Sequence, residues 1–375
     1  MRRVLIDGSM AKGGGGFTYL VNILPWLRQI APDDRYRVLV RSPGLAASIA
    51  STPNLEVDLL PDVGWRERLA FTQLEAPRVA KAWDADVYFS AGECAPLRAP
   101  CPVIASFRNP HVFTAIGLPW KQRLRLRVLK GLAQVSAWTC DRIMFVSEDS
   151  ARWIGDSIRL PERRRAVIHH GIDLERWQRS PAPSQSHPLG GRPFILSVSS
   201  VYRHKNYVRL IEAYAALGRR RIALPDLVII GDDQDPAYWQ LMQEARSATG
   251  PLASRIHILG EVPYAEIKAY YAAASLFVFP SYLETFGHPL VEAMASGAAI
   301  AAGDIPTSRE LCGEAARYFD PHDTGAVAEA LLTLWRDGEL RAALGARGRA
   351  RSRDFSWEKT AQETEAVLAE ALAAP

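Results

Sequence analysis

Short apolar runs alternate with stretches of helical periodicity along almost the whole chain. Val4-Leu5-Ile6, Arg37–Val40, Glu56–Leu60, Ala85–Phe89, Val103–Ser106, Asp141–Val146 and Val167–Gly171 read as strands of a first set. Phe194–Val198, Leu227–Ile230 and Ser275–Phe279 belong to a second. Most are apolar at nearly every position, as strands buried on both faces are. Between them apolar residues recur at helical spacing, as at Leu20, Ile23, Leu24 and Leu27 or at Leu210, Ile211 and Tyr214. Strand–helix alternation of this kind predicts parallel sheets covered by helices, with right-handed crossovers. The Ser-, Pro- and Gly-rich stretch Gln178–Gly191 separates the two sets as an interdomain linker. The fold class expected is α/β, with two Rossmann-like, doubly wound parallel-sheet domains facing a cleft.

One segment carries most of the chemistry. After the apolar run Ser275–Phe279, Pro280 stops the strand and Pro289 opens a helix that Gly297 ends. Glu292 is the one charge among Leu290, Val291, Ala293, Met294 and Ala295, so it is expected to be buried and in need of donors. A strand, a tight loop and a bare helix start make an anion site at the carboxyl end of a parallel sheet. Glu284 enters that site from the loop, and Glu292 leans back toward it from the first helical turn. Two carboxylates there are poor phosphate ligands but good acceptors for hydroxyls attached to a phosphate. A nucleotide sugar has that chemistry.

Glu284 and Glu292, with seven residues between them and Phe286-Gly287-His288-Pro289 inside, resemble the Glu-x7-Glu motif of the group 1 family of retaining glycosyltransferases. The resemblance implies the GT-B fold and a mannosyltransferase-like activity. It implies that Glu284 holds sugar hydroxyls and Glu292 the ribose, with Phe286, Gly287, His288 and Leu290 lining the donor. Lys205-Asn206 matches the family's phosphate-binding lysine. Ser200 stands where many members have arginine, and Arg203 is the candidate substitute. The segment around Val262 resembles the one that meets the nucleobase. The loop Lys12 to Gly16 matches a glycine loop near donor and acceptor, which assigns Gly15 and Gly16 to the donor site. Thr285 and His288 depart from the family's frequent Gly and Leu, and both touch donor-sugar recognition.

The domains implied are residues 1–180 for the acceptor, 192–354 for the sugar nucleotide, and 355–375 as a helix returning to the first domain. Arg108, Asn109 and His111 follow the strand Val103–Ser106 and are expected to bind acceptor. Asp233-Gln234-Asp235 has the look of a metal-binding Asp-x-Asp, but one acid-rich loop after a strand is common, and no metal is expected. The adjacent His169 and His170 point opposite ways if they lie on a strand, which argues against a metal there too. His170 stands where the family's Asn-Gly-Val-Asp signature has Asn.

Composition narrows the rest. The chain has 375 residues, 48% hydrophobic and 23% charged, and its four cysteines show no metal spacing. Free thiols, a short N-terminal apolar run and no long apolar stretch suit a cytoplasmic protein. The charge is uneven: residues 1–180 hold 26 Lys/Arg against 18 Asp/Glu, and the remainder 19 against 23. The basic half suits an anionic partner better than nucleic acid, for which no binding module is evident. In Trp120–Trp138 a helix would set Leu124, Val128, Leu132 and Val135 on one face and Arg123, Arg127 and Lys130 on the opposite one. Such a helix either packs its apolar stripe on the sheet or contacts an anionic membrane from the inner face.

The expected reaction is metal-independent transfer of a hexosyl unit, with retention, from a GDP- or UDP-linked sugar to a saccharide or lipid-linked saccharide. Glu284, Lys205 and Arg203 are the candidate catalytic residues. A sugar-nucleotide epimerase of the same architecture and a non-catalytic sugar-nucleotide binder are the alternatives.

Overall fold

The computed structural model describes residues 1–11, 14–49, 51–114, 120–178 and 189–373. They form two compact units, Met1–Gly171 with Ser356–Pro375, and Ile172–Phe355. The first holds seven parallel strands: β1 (Arg3–Asp7), β2 (Arg35–Val40), β3 (Leu55–Leu59), β4 (Val87–Ser90), β5 (Val103–Phe107), β6 (Arg142–Phe145) and β7 (Arg165–Val167). Their order is β3-β2-β1-β4-β5-β6-β7. The second holds β8 (Phe194–Val198), β9 (Asp226–Ile230), β10 (Ile256–Gly260), β11 (Leu276–Phe279), β12 (Ile300–Gly303) and β13 (Ala316–Phe319), in the order β10-β9-β8-β11-β12-β13. Every pairing in both sheets is parallel.

In each sheet the strand order reverses once, between β1 and β4 in the first and between β8 and β11 in the second. The chain therefore leaves neighbouring strands in opposite directions and opens a crevice at their carboxyl ends. β4, β5, β8, β9, β11 and β12 are buried at every position, which is why their sequences lack polar alternation.

The last helix, Trp357–Ala373, packs on the Gly14–Ile30 helix of the first unit. Its start is moulded to the turn after β7: a Cβ on Gly171 would overlap the backbone of Trp357. The helix Leu174–Gln178 belongs to the second unit, where Trp177 packs edge-on against Tyr264 and Tyr271.

Two local expectations are corrected. The glycines Gly14 to Gly16 form the first turn of the Gly14–Ile30 helix rather than a loop before it, and Lys12 and Gly13 lie outside the described residues. β7 ends at Val167, so His169 and His170 follow the strand; the His170 ring lies between Tyr19 and Trp357. Helix 65–83 contains a wide turn at Phe71–Glu75. On the Trp120–Thr139 helix, Leu124, Val128 and Val135 are exposed, while small residues face the core.

Candidate active site

The reversal between β8 and β11 brings two loops together. Tyr282 N–H donates to the His204 carbonyl (3.0 Å), and Asn206 Nδ2 donates to the Pro280 carbonyl (3.1 Å) and to that of Pro321 (2.6 Å). Asn206 holds φ +64°, a left-handed conformation that asparagine tolerates better than most residues. It therefore turns the chain sharply into the Tyr207–Arg219 helix while locking both loops to each other. Beneath it the Tyr207 hydroxyl donates to the Ser199 carbonyl (3.0 Å).

That frame sets Lys205 Nζ 2.6 Å from Glu284 Oε1, with only 12% and 7% of the two side chains exposed. A pair so enclosed is held much more firmly than a surface one. The Thr307 hydroxyl donates to the Glu284 carbonyl (3.2 Å) and steadies the loop from the far side. Past it, Gly287 takes φ +99° and starts the His288–Ser296 helix without offering a side-chain cap to its first turn. Phe286 is buried against His288 and Phe355, and Leu290 is fully buried. The helix then delivers Glu292, 8% exposed, as its sequence implied.

The donors Glu292 requires come from the protein itself. The Tyr271 hydroxyl donates to Oε2 (3.0 Å) and the Tyr264 hydroxyl to Oε1 (3.2 Å). Burial pushes the carboxyl up to about 7, against the opposing pull of the two tyrosine hydrogen bonds and the charge of Arg176. Tyr271 is buried, but Tyr264 is 46% exposed and carries the Arg176 guanidinium 4.5 Å from its ring centre. Burial and the Glu292 charge raise both phenols, so they stay protonated donors at neutral pH. These tyrosines were missed in the sequence. Their spacing of seven, two helical turns on the Tyr264–Ala273 helix, was the available signal.

Other candidates divide. Arg203 pairs with Asp235 (3.4 Å) and lies over the Tyr238 ring. Asp235 Oδ1 in turn caps the Pro236–Ala248 helix at Tyr238 N–H (3.1 Å), so this acid is occupied by an arginine and a helix start. Among the described residues no three metal-capable side chains gather. Ser200 and Val262 are half-buried, at the ends of β8 and β10. In the first unit, Arg108 stacks 4.4 Å from the Tyr19 ring centre and donates to the Ala91 carbonyl at the end of β4. Glu93 Oε1 accepts the main-chain N–H of both Arg108 (3.0 Å) and Asn109 (2.7 Å). Gly15, exposed in the first helical turn, has open space where a Cβ would stand; at Gly16 a Cβ would press on Ala11. The His111 side chain lies outside the described residues.

A lysine and a carboxylate thus meet at the switch point of the second sheet, beside the start of the His288–Ser296 helix. Two Rossmann-like parallel-sheet units in one chain are the GT-B architecture. Residues 180–351 match the family described as Glycosyl transferases group 1, and residues 13–176 match Glycosyltransferase Family 4. The chain thus carries a group 1 glycosyltransferase domain and a Family 4 glycosyltransferase domain, and it is a glycosyltransferase of the GT-B type. It is 27% identical over 267 residues to the O-antigen chain mannosyltransferase B of Escherichia coli, covering 70% of this chain and 68% of that relative. It is 29% identical over 287 residues to the alpha-maltose-1-phosphate synthase of Mycolicibacterium smegmatis, covering 68% and 71%. Anabaena HepE, solved in complex with UDP and glucose, shares the fold at a TM-score of 0.76 and 19% identity, over 99% of this chain and 100% of that one.

Proposed function

We propose that the protein transfers a hexosyl unit, with retention and without a metal ion, from a nucleotide-diphosphate sugar to a saccharide or lipid-linked saccharide. The observation that carries this is the enclosed Lys205–Glu284 pair at the β8/β11 switch point, beside the start of the His288–Ser296 helix. On donor binding the diphosphate takes the Lys205 ammonium, which frees the Glu284 carboxylate to accept hydrogen bonds from the sugar. The first N–H groups of the His288–Ser296 helix meet the same phosphates. Glu292 takes the ribose at the other end.

The acceptor hydroxyl attacks the anomeric carbon on the face from which the diphosphate leaves. The glycosidic C–O bond breaks as the new one forms, and a donor phosphate oxygen receives the hydroxyl proton. Lys205 and the helix start hold the charge that develops on the diphosphate, an arrangement that needs no reorganisation during the step. Arg203, paired with Asp235, is the weaker candidate for that task. We assign acceptor binding to the first unit, at Arg108 and Asn109. The names of the relatives, a mannosyltransferase and a maltose-1-phosphate synthase, support a hexose donor.

The test is transfer with GDP-, UDP- and ADP-linked hexoses, with and without chelator, comparing wild type with Glu284→Gln. One donor should support transfer that survives chelation, and the variant should lose most of it while remaining folded. Full activity in the variant removes Glu284 from the reaction. Loss of wild-type activity in chelator overturns the metal-free reading. A changed sugar nucleotide in the absence of any acceptor would point to an epimerase instead.

A further inference from the structure

The Trp120–Thr139 helix of the first unit turns the wrong side outward for a core helix. Ala133, Ser136 and Ala137 are buried, and Leu129 packs on the same core. Leu124, Val128, Val135 and Trp138 are 55%, 46%, 48% and 56% exposed. With Gly131 they are spaced by four, three, four and three residues, which at about 100° per residue draws one narrow stripe opposite the packed side. The larger apolar side chains thus face solvent while alanine and serine face the protein. Exposed Arg123 and Arg127 and half-buried Lys130 run along one flank of the stripe rather than behind it.

Charge identifies the occupant. From Cys94 to Cys140 the sequence holds seven Lys/Arg and no Asp or Glu. A stripe stepped by four and three could in principle seat the same helix of a second copy. That pairing would bring two all-cationic segments together with no carboxylate of their own to answer them. An anionic bilayer instead offers acyl chains for the stripe and headgroup charge for the flank. Among the described residues no helix is long and apolar enough to cross a membrane, so the contact is with the surface. We propose that the outward face of this helix docks the protein on an anionic lipid surface, with Leu124, Val128, Val135 and Trp138 entering the interface and Arg123 and Arg127 on the headgroups. The inference is independent of the transfer reaction, since it is read by binding alone.

The experiment is vesicle co-sedimentation of the full chain at low and high salt. The vesicles are phosphatidylcholine alone, or phosphatidylcholine with phosphatidylglycerol in about a two-to-one ratio. Binding should require phosphatidylglycerol and weaken with salt. The triple variant Leu124→Gln, Val128→Gln, Val135→Gln should lose roughly tenfold or more of the partition. Arg123→Gln with Arg127→Gln should lose roughly fivefold per charge. Because these side chains are exposed, thermal melting should hardly move, which separates lost docking from lost folding. Vesicle binding unchanged in the triple variant, or indifferent to phosphatidylglycerol, overturns the proposal. So does a wild-type dimer that the triple variant dissociates while neither protein binds vesicles.

Discussion

The two carboxylates of the second unit are solved in opposite ways. Glu284 meets a cation: Lys205 reaches it from the neighbouring loop. Glu292 meets neutral donors, the hydroxyls of Tyr264 and Tyr271. In the reaction proposed above, the first arrangement is a charge pair that the donor diphosphate would split, exchanging one anion for another on the lysine. In the second, burial pushes the carboxyl up to about 7, and the two phenol hydrogen bonds that oppose it do not cancel that rise. The same residue type is therefore paired with a cation in one place and held by neutral hydroxyls in the other.

Breaking the first arrangement should have the largest effect. Lys205→Met removes the cation and leaves Glu284 buried without it. Transfer should fall on the order of a thousandfold, by loss of charge stabilisation on the leaving diphosphate. Stability should fall by about 3 kcal/mol, as expected when one partner of an enclosed pair is deleted. Adding Glu284→Gln to the lysine variant should restore much of the stability and none of the activity. Urea denaturation and steady-state transfer rates check the two halves separately, and recovery of activity in the double variant would contradict the exchange just described.

The second arrangement is tested by pH. The Glu292 carboxyl titrates near 7 when folded and near its ordinary value of 4.5 when unfolded. A raised folded value means that the stabilising protonated state is complete below about 4.5 and is lost as pH rises through 7. Stability attributable to this group should decline by about 3 kcal/mol across that window. In Glu292→Gln the decline should vanish, so the variant gains on the wild type as pH rises. Donor binding should run the other way. Ribose hydroxyls need the ionised carboxylate, so the donor KM should fall between pH 6 and pH 8 in the wild type. In the variant it should stay flat and roughly tenfold higher. A wild-type KM independent of pH would separate Glu292 from the ribose.

This contrast explains how far the sequence could be read. The first sheet and three of the six strands of the second were legible, because strands buried on both faces leave unbroken apolar runs such as Leu276–Phe279; Ile256–Gly260, Ile300–Gly303 and Ala316–Phe319 were not read as strands. The position of Glu284 and Glu292 was legible too, since Pro280, Pro289 and Gly297 punctuate the chain around them. Lys205 near Glu284 followed from the resemblance rather than from spacing, for the two are 79 residues apart and meet only through the sheet order. The tyrosines on Glu292 were hidden for a similar reason: a hydroxyl on an otherwise ordinary helix signals nothing until its partner is placed. Leu124, Val128 and Val135 show the opposite failure. Periodicity located their stripe, but it does not say which side of a helix meets the core when alanines opposite can pack more closely.

The smallest predicted effects separate the two tyrosines. Tyr271 is buried, so Tyr271→Phe leaves Glu292 Oε2 without its donor and without water to replace it. The loss should be about 2 kcal/mol where the carboxylate is ionised, near pH 8, and less near pH 5, where it is protonated. Tyr264 is 46% exposed, so in Tyr264→Phe water can reach Oε1, and the loss should stay below about 1 kcal/mol at either pH. Function should reverse that order. Tyr264 is the more exposed of the two donors, so in the proposed reaction its hydroxyl would compete with a ribose hydroxyl for Glu292 Oε1. Its removal should leave the donor KM unchanged or slightly lower near pH 8, whereas Tyr271→Phe should raise it by letting the carboxylate drift. Equal effects of the two substitutions on both stability and KM would mean that Glu292 is a structural acid held by a symmetrical clamp, with neither oxygen reserved for a ligand.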